Sequence, residues 1–128
     1  MELDYYEKFD IHYTNDSIFC LKKFTKNELI KLSLEIDKII EKSTDVNLSN
    51  LEYVINLSGK TLILKYGERS KGIEKVNENI YECILTKEEY IEMKEMLLHY
   101  EIEKSVTYYW LYDVGAEIEF LLSESGKW

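Results

Sequence analysis

The clearest structural signal in the chain lies at residues 80–89, which read IYECILTKEE. Residues 80–85 are mostly aliphatic or aromatic, which is typical of a buried strand. Thr86 and Glu89 fit a capping box, in which the threonine hydroxyl accepts from the amide of the third helical residue and the glutamate reaches back to the threonine amide. The segment therefore predicts a strand followed directly by a helix.

The same order of signals occurs earlier in the chain. A strand-like run at residues 17–24 precedes Thr25-Lys26-Asn27-Glu28, which is a second capping box. Apolar residues at helical spacing follow both boxes. We expect the first helix to end near Ser43 and the second near Lys104.

Each predicted helix is followed by two strand-like runs joined at a glycine. The first pair is residues 51–57 and 60–66, with a turn at Gly59, and the second is residues 106–112 and 116–120, with a turn at Gly115. Another strand is expected at residues 9–14.

These elements predict an α+β fold with one or two antiparallel sheets and two helices, in a single domain over residues 1–128. The order also indicates a degenerate tandem repeat of β-α-β-β units at residues 17–66 and 80–122, preceded by the N-terminal strand. Chance similarity is the alternative, because Thr-Lys-x-Glu suits any helix start.

Composition excludes several classes of protein. With 45% apolar and 32% charged residues the chain is globular rather than disordered. It has no apolar run of the length that a membrane helix needs, and its acidic start does not resemble a secretion signal. Cys20 and Cys83 are too few for a disulfide framework. We therefore expect a soluble, cytoplasmic protein without membrane association.

The net charge of −9 is unevenly distributed. Residues 1–75 hold 13 Asp/Glu against 12 Lys/Arg, whereas residues 76–128 hold 12 against 4. The acidic second half disfavours direct binding to nucleic acid and favours a basic partner, although acidic helix faces are also often merely solvated.

No pattern in the sequence specifies a reaction. His12 and His99 lie outside any motif, and Cys and His are not clustered at zinc-ligand spacing. The glycines are scattered rather than grouped in a phosphate loop. We predict no catalytic residue, resident metal or cofactor; a metal-dependent hydrolase using Asp113, Glu117 and Glu119 is a weaker alternative.

The most aromatic segment is residues 108–112, which read YYWLY. Alternation along a strand predicts that Tyr109 and Leu111 face one side while Trp110 and Tyr112 face the other. The strand is either central and covered on both faces or presents one aromatic row as a contact surface. The sequence leaves both interpretations open.

The leading functional hypothesis is a small, acidic, non-enzymatic binding protein that neutralises a larger protein partner with a basic surface, such as a nuclease or toxin. In composition the chain is similar to bacterial toxin-immunity proteins and to phage-encoded, anti-defence inhibitors of host nucleases. Charge would steer association and aromatic side chains would hold the complex. The predicted contact residues are Glu92, Glu95, Tyr109, Tyr112, Glu117 and Glu119.

The alternative hypothesis is binding of a small, nucleotide-like signal molecule. Residues 60–75 carry five basic residues against two acidic ones, and Arg69 lies between two glycines in a predicted exposed loop. Tyrosines would stack on a base while Arg69 or Lys71 contacts a phosphate.

Overall fold

The computed structural model describes residues 1–7, 17–102, 108–112 and 117–128. It confirms the expected α+β class, with helices and sheets in one chain. The strand expected at residues 9–14 and the turn expected at Gly115 lie outside the described residues.

The elements are β1 Glu2–Tyr6, β2 Ser17–Lys22, α1 Lys26–Lys42, β3 Val46–Asn47, a 3-10 helix Leu48–Asn50, β4 Ile55–Asn56, β5 Thr61–Tyr66, β6 Gly72–Lys75, β7 Ile80–Leu85, α2 Lys87–His99, β8 Tyr109–Tyr112 and β9 Ile118–Leu122. Within the described ranges, none of the helices is long and apolar enough to cross a lipid bilayer.

The strands form two mixed sheets, in the orders β4-β1-β2-β9-β8 and β3-β5-β7-β6. The expectation of antiparallel sheets is wrong in this respect, because β2 runs parallel to β9 and β5 runs parallel to β7. Residues Ser17–Leu21 of β2 are all buried, which suits a central strand that needs a partner on both sides. One partner of β2 is β1, and the other is β9, which lies near the opposite end of the sequence.

The two sheets share one strand plan. In the first sheet the pairs β1–β2 and β9–β8 are antiparallel, and the pair β2–β9 between them is parallel. In the second sheet β6–β7 and β5–β3 are antiparallel, and β7–β5 between them is parallel. Corresponding rows of paired residues are Leu3, Leu21, Leu122 and Tyr109 in one sheet and Ile73, Cys83, Leu64 and Val46 in the other. Each half therefore begins with a strand, β1 or β6, that lies outside the predicted repeat boundaries 17–66 and 80–122. A tandem repeat by common origin stays a prediction.

Both helices begin at the expected capping boxes, with Thr25 and Thr86 as the caps. Helix α1 ends as expected, since Ser43 adopts a left-handed conformation with φ of 54°. Helix α2 ends at His99, earlier than expected.

Tyr100 explains the early end of α2. Its ring is buried edge to face against Phe24, with 5.1 Å between ring centroids, and its hydroxyl accepts from the amide of Glu124 at 2.9 Å. These non-local contacts outweigh the helical periodicity that continues beyond His99 in the sequence.

The strand expected at residues 51–57 is mostly absent. The amide of Leu51 donates to the carbonyl of Leu48 at 3.3 Å and that of Val54 to the carbonyl of Leu51 at 3.0 Å, so successive turns occupy the start of this segment. Only β4 joins a sheet, beside β1, while β5 belongs to the other sheet. The expected hairpin across Gly59 is therefore wrong, although Gly59 does supply a turn with φ of +74°.

One apolar core contains residues of both sheets and both helices. Near its centre Phe19 of β2 and Tyr81 of β7 meet edge to face at 5.1 Å, and Tyr5 packs on both rings. Tyr90 anchors α2 to the second sheet, because its buried hydroxyl lies 2.7 Å from the carbonyl of Lys65. Burial raises the pKa of Tyr90, so the hydroxyl stays a donor.

Candidate binding site on the second helix

Helix α2 divides into a buried stripe and an acidic exposed side. Tyr90, Met93 and Leu97 are buried, whereas Glu88, Glu92 and Glu95 are exposed. Glu88 and Glu92 are four residues apart and Glu92 and Glu95 three apart, so the carboxylates repel each other along the helix. Such repulsion destabilises the helix by about 0.2–0.5 kcal/mol per pair, so these carboxylates do not stabilise the fold.

The fold neutralises part of the acidic excess elsewhere in the second half. Glu82 pairs with Lys65 at 3.1 Å and Glu78 with Lys75 at 3.3 Å. Across the described ranges no ion pair involves Glu88, Glu92 or Glu95. Three exposed carboxylates without an ion pair in these ranges thus follow one another along α2.

Strand β8 departs from simple alternation. A register shift between Trp110 and Tyr112 marks a β-bulge, and Tyr109, Leu111 and Tyr112 all contact the main core while Trp110 packs on the other face. The expectation that Tyr109 and Tyr112 face opposite sides is therefore wrong, because the bulge adds a residue to the strand. Tyr109, Trp110 and Tyr112 are half-buried.

A shallow depression of about 300 Å³ lies between α2 and β8, and its lining residues are Glu92, Glu95, Met96, His99 and Tyr109. We call it the α2–β8 depression. The ring of Tyr109 is held edge to face against Tyr100, with 5.4 Å between centroids. The arrangement brings together two carboxylates, a thioether, an imidazole and a phenol ring.

His99 has a defined hydrogen bond at the rim of this depression. Its Nδ1 lies 2.8 Å from the carbonyl oxygen of Glu95, which can only accept, so Nδ1 carries the hydrogen. Neither His99 nor Met96 was among the site residues predicted from the sequence. The signal was available, because His99 follows Glu95 by four residues and Met96 follows Glu92 by four, on the same side of a helix.

The other predicted contact residues lie elsewhere. Glu117 is exposed just before β9, and Glu119 is half-buried within β9. Ile118, Phe120 and Leu122 contact the main core, so alternation places Glu119 on the opposite face of the sheet from them. Tyr112 packs over Gly72 of the second sheet. The structure thus brings together Glu92, Glu95 and Tyr109 but separates them from Tyr112, Glu117 and Glu119.

The basic segment 60–75 is not one loop. It comprises β5, a connection over residues 67–71 and β6. Lys65 and Lys75 are in ion pairs, and Lys60 donates to the carbonyl of Glu78 at 2.8 Å. Arg69 and Lys71 are exposed in the connection and do not line the α2–β8 depression.

Neither metal chemistry nor thiol chemistry has a site among the residues that can be described. No group of His, Cys, Asp and Glu in those ranges is arranged to hold a metal ion, while Asp113 lies outside them. Cys20 and Cys83 are buried, and burial raises the pKa of each thiol to about 12. Both thiols therefore stay protonated near neutral pH.

No protein-family model, curated protein or solved structure matches this chain.

Proposed function

We propose that this protein is a non-enzymatic binding protein for a larger protein with a basic surface, in the manner of an inhibitor or an immunity protein. The observation that carries the proposal is the α2–β8 depression, where Glu92, Glu95 and Tyr109 meet. Two exposed carboxylates without ion pairs among the described residues stand beside an aromatic ring held in place by the core.

This combination suits an arginine or lysine side chain of the partner. Carboxylates form charge-assisted hydrogen bonds with a guanidinium or ammonium group. The face of Tyr109 can contribute a cation–π contact, and Met96 offers an apolar surface to the aliphatic stem. The acidic exposed side of α2 would also attract a basic surface before contact, which raises the association rate at low salt.

A direct test titrates the isotope-labelled protein with an acetylated, amidated tripeptide containing one arginine, followed by NMR. We expect amide shifts concentrated at Glu92, Glu95, Met96, His99 and Tyr109. The same peptide with neutral citrulline in place of arginine should leave these signals in position. Equal shifts with both peptides, or shifts only around Arg69 and Lys71, contradict the proposal.

A second test captures the partner by crosslinking in the native cells. The double variant Glu92→Gln/Glu95→Gln should reduce affinity for that partner by about tenfold or more, or about 1.4 kcal/mol. The matched control is Glu41→Gln/Glu52→Gln, which removes two exposed carboxylates from the first half. Equal recovery with both variants, or a partner without a basic surface, overturns the proposal. A small molecule that co-purifies and is lost in Arg69→Ala would favour ligand binding instead.

A further inference from the structure

Both helices expose large apolar side chains to solvent. On α1, Ile30 is 41% exposed and Leu34 is 58% exposed, and on α2, Ile91 is 43% exposed and Leu98 is 37% exposed. The apolar face of each helix is thus wider than the stripe that the core covers. We call these four residues the helix-layer stripe.

The two halves of this stripe lie next to each other. Asp37 continues the side of α1 that carries Ile30 and Leu34, and Lys94 lies between Ile91 and Leu98 on α2. Asp37 and Lys94 form an ion pair at 2.6 Å, so these sides of the two helices adjoin. The stripe is therefore one apolar surface on the helical layer, not four scattered residues.

The helices that flank the stripe carry exposed charges of opposite sign. The exposed charged residues of α1 are Lys26, Lys31, Lys38, Lys42 and Glu41, and half-buried Glu35 pairs with Lys38 at 3.1 Å, so the net charge of this side is +2. Those of α2 are Glu88, Glu92 and Glu95, a net of −3. A partner surface of a single sign would be attracted by one helix and repelled by the other.

We propose that a second copy of this chain covers the helix-layer stripe. A twofold axis parallel to the helices would place α1 of each copy over α2 of the other. Positive helices then face negative helices at both places, with the apolar stripes packed between them. The contact uses the side of α2 with Ile91 and Leu98, whereas the α2–β8 depression lies on the side with Glu92 and Met96.

Sedimentation equilibrium of the full chain over a range of concentrations tests this inference. We expect a monomer–dimer equilibrium for the wild-type protein. Leu34→Glu should weaken dimerisation by about a hundredfold or more, because each substitution acts twice in a twofold interface and a tenfold change equals about 1.4 kcal/mol. Leu34 is largely exposed, so the monomer should keep its circular dichroism spectrum and melting temperature.

Ile55→Glu is the matched control, since Ile55 is 60% exposed on β4, an edge strand of a sheet, and does not belong to the helix-layer stripe. It should leave the dissociation constant unchanged. A wild-type protein that stays monomeric at millimolar concentration, or a dimer that tolerates Leu34→Glu as well as Ile55→Glu, overturns the inference.

A charge exchange tests the proposed orientation. Lys31→Glu and Glu88→Lys, neither of which changes a residue that lines the α2–β8 depression, should each weaken self-association, because like charges then face each other. The two variants mixed should form a heterodimer, in which one of the two helix contacts pairs the substituted α1 with the substituted α2. Failure of the mixture to associate, or normal self-association of either variant, contradicts the placement of α1 over α2.

Discussion

At the scale of single residues, Glu28 illustrates how one side chain joins distant parts of the chain. One carboxylate oxygen accepts from the amide of Thr25 at 2.9 Å, and the other contacts the ammonium group of Met1 at 2.7 Å. Burial alone would raise the pKa of Glu28, but the Met1 ammonium and the Thr25 donors outweigh it and hold the pKa below its ordinary value.

The lowered pKa of Glu28 predicts a pH-dependent contribution to stability. A carboxylate with a depressed pKa stabilises the fold above its unfolded pKa of about 4.3, and the contribution disappears as pH falls through the folded pKa. Glu28→Gln, which retains an acceptor for the cap, should lower the free energy of unfolding by about 0.5–1 kcal/mol at neutral pH.

Urea unfolding at neutral pH and below about pH 4 measures this effect. The difference between wild type and Glu28→Gln should shrink toward zero at the acidic end. Glu41→Gln, an exposed change on the same helix, should show no comparable difference at neutral pH. A loss for Glu28→Gln that is the same at both pH values would contradict the assigned cause.

At the scale of elements, structure that depends on a short segment could be predicted from the sequence of that segment. The boxes at Thr25 and Thr86 located both helix starts, and residues 80–85 matched β7. Strands β1 and β6 were not predicted, because their local sequence pattern is weak and their strand structure depends on hydrogen bonds to a partner strand. The parallel pairs β2–β9 and β5–β7 join segments far apart in sequence, which no local pattern records.

The candidate site was predictable to a similar extent. Helical spacing identified the exposed glutamates of α2, and the aromatic run identified β8. The meeting of Tyr109 with Glu92 and Glu95 depends on the tertiary packing of α2 against β8, and the bulge that redirects Tyr112 has no signature in the sequence. The sequence thus named three of the five residues that line the depression, Glu92, Glu95 and Tyr109, and packing decided which predicted residues came together.

The contact between β6 and β8 predicts a severe effect of Gly72→Ala. Gly72 has φ of +70°, and a Cβ there would lie 2.6 Å from the hydroxyl oxygen of Tyr112. Backbone strain of about 1–2 kcal/mol adds to the displacement of the ring, so we expect a loss of about 2 kcal/mol or more in unfolding free energy.

A double-mutant cycle with Tyr112→Ala separates these two costs. In the Tyr112→Ala background, Gly72→Ala should cost only the backbone strain, about 1–2 kcal/mol. Strictly additive losses would show that the ring and the glycine do not interact.

At the scale of the whole molecule, the two halves exchange their last strands. The sheet that contains β2 is completed by β8 and β9 of the second half, and the sheet that contains β7 is completed by β3 and β5 of the first. Phe19 and Tyr81, which occupy corresponding positions on β2 and β7, also pack on each other at the centre. Each half therefore lacks an essential neighbour for its own central strand.

Strand exchange predicts that neither half folds alone. Fragments 1–67 and 68–128, cut in the exposed connection between β5 and β6, should each lack cooperative thermal unfolding. Mixed in equal amounts, they should recover the circular dichroism spectrum and a cooperative melt. A fragment that unfolds cooperatively by itself would show that the exchanged strands are dispensable.

The exchanged strands also bear on how the nascent chain folds. Strand β2 emerges from the ribosome early, yet its parallel partner β9 is synthesised only when translation has reached residue 122. Until then the side of β2 that β9 will cover is an open strand edge, the kind of surface on which unfinished chains associate. Slow synthesis or truncation late in the message should therefore harm the yield of this protein far more than its small size suggests.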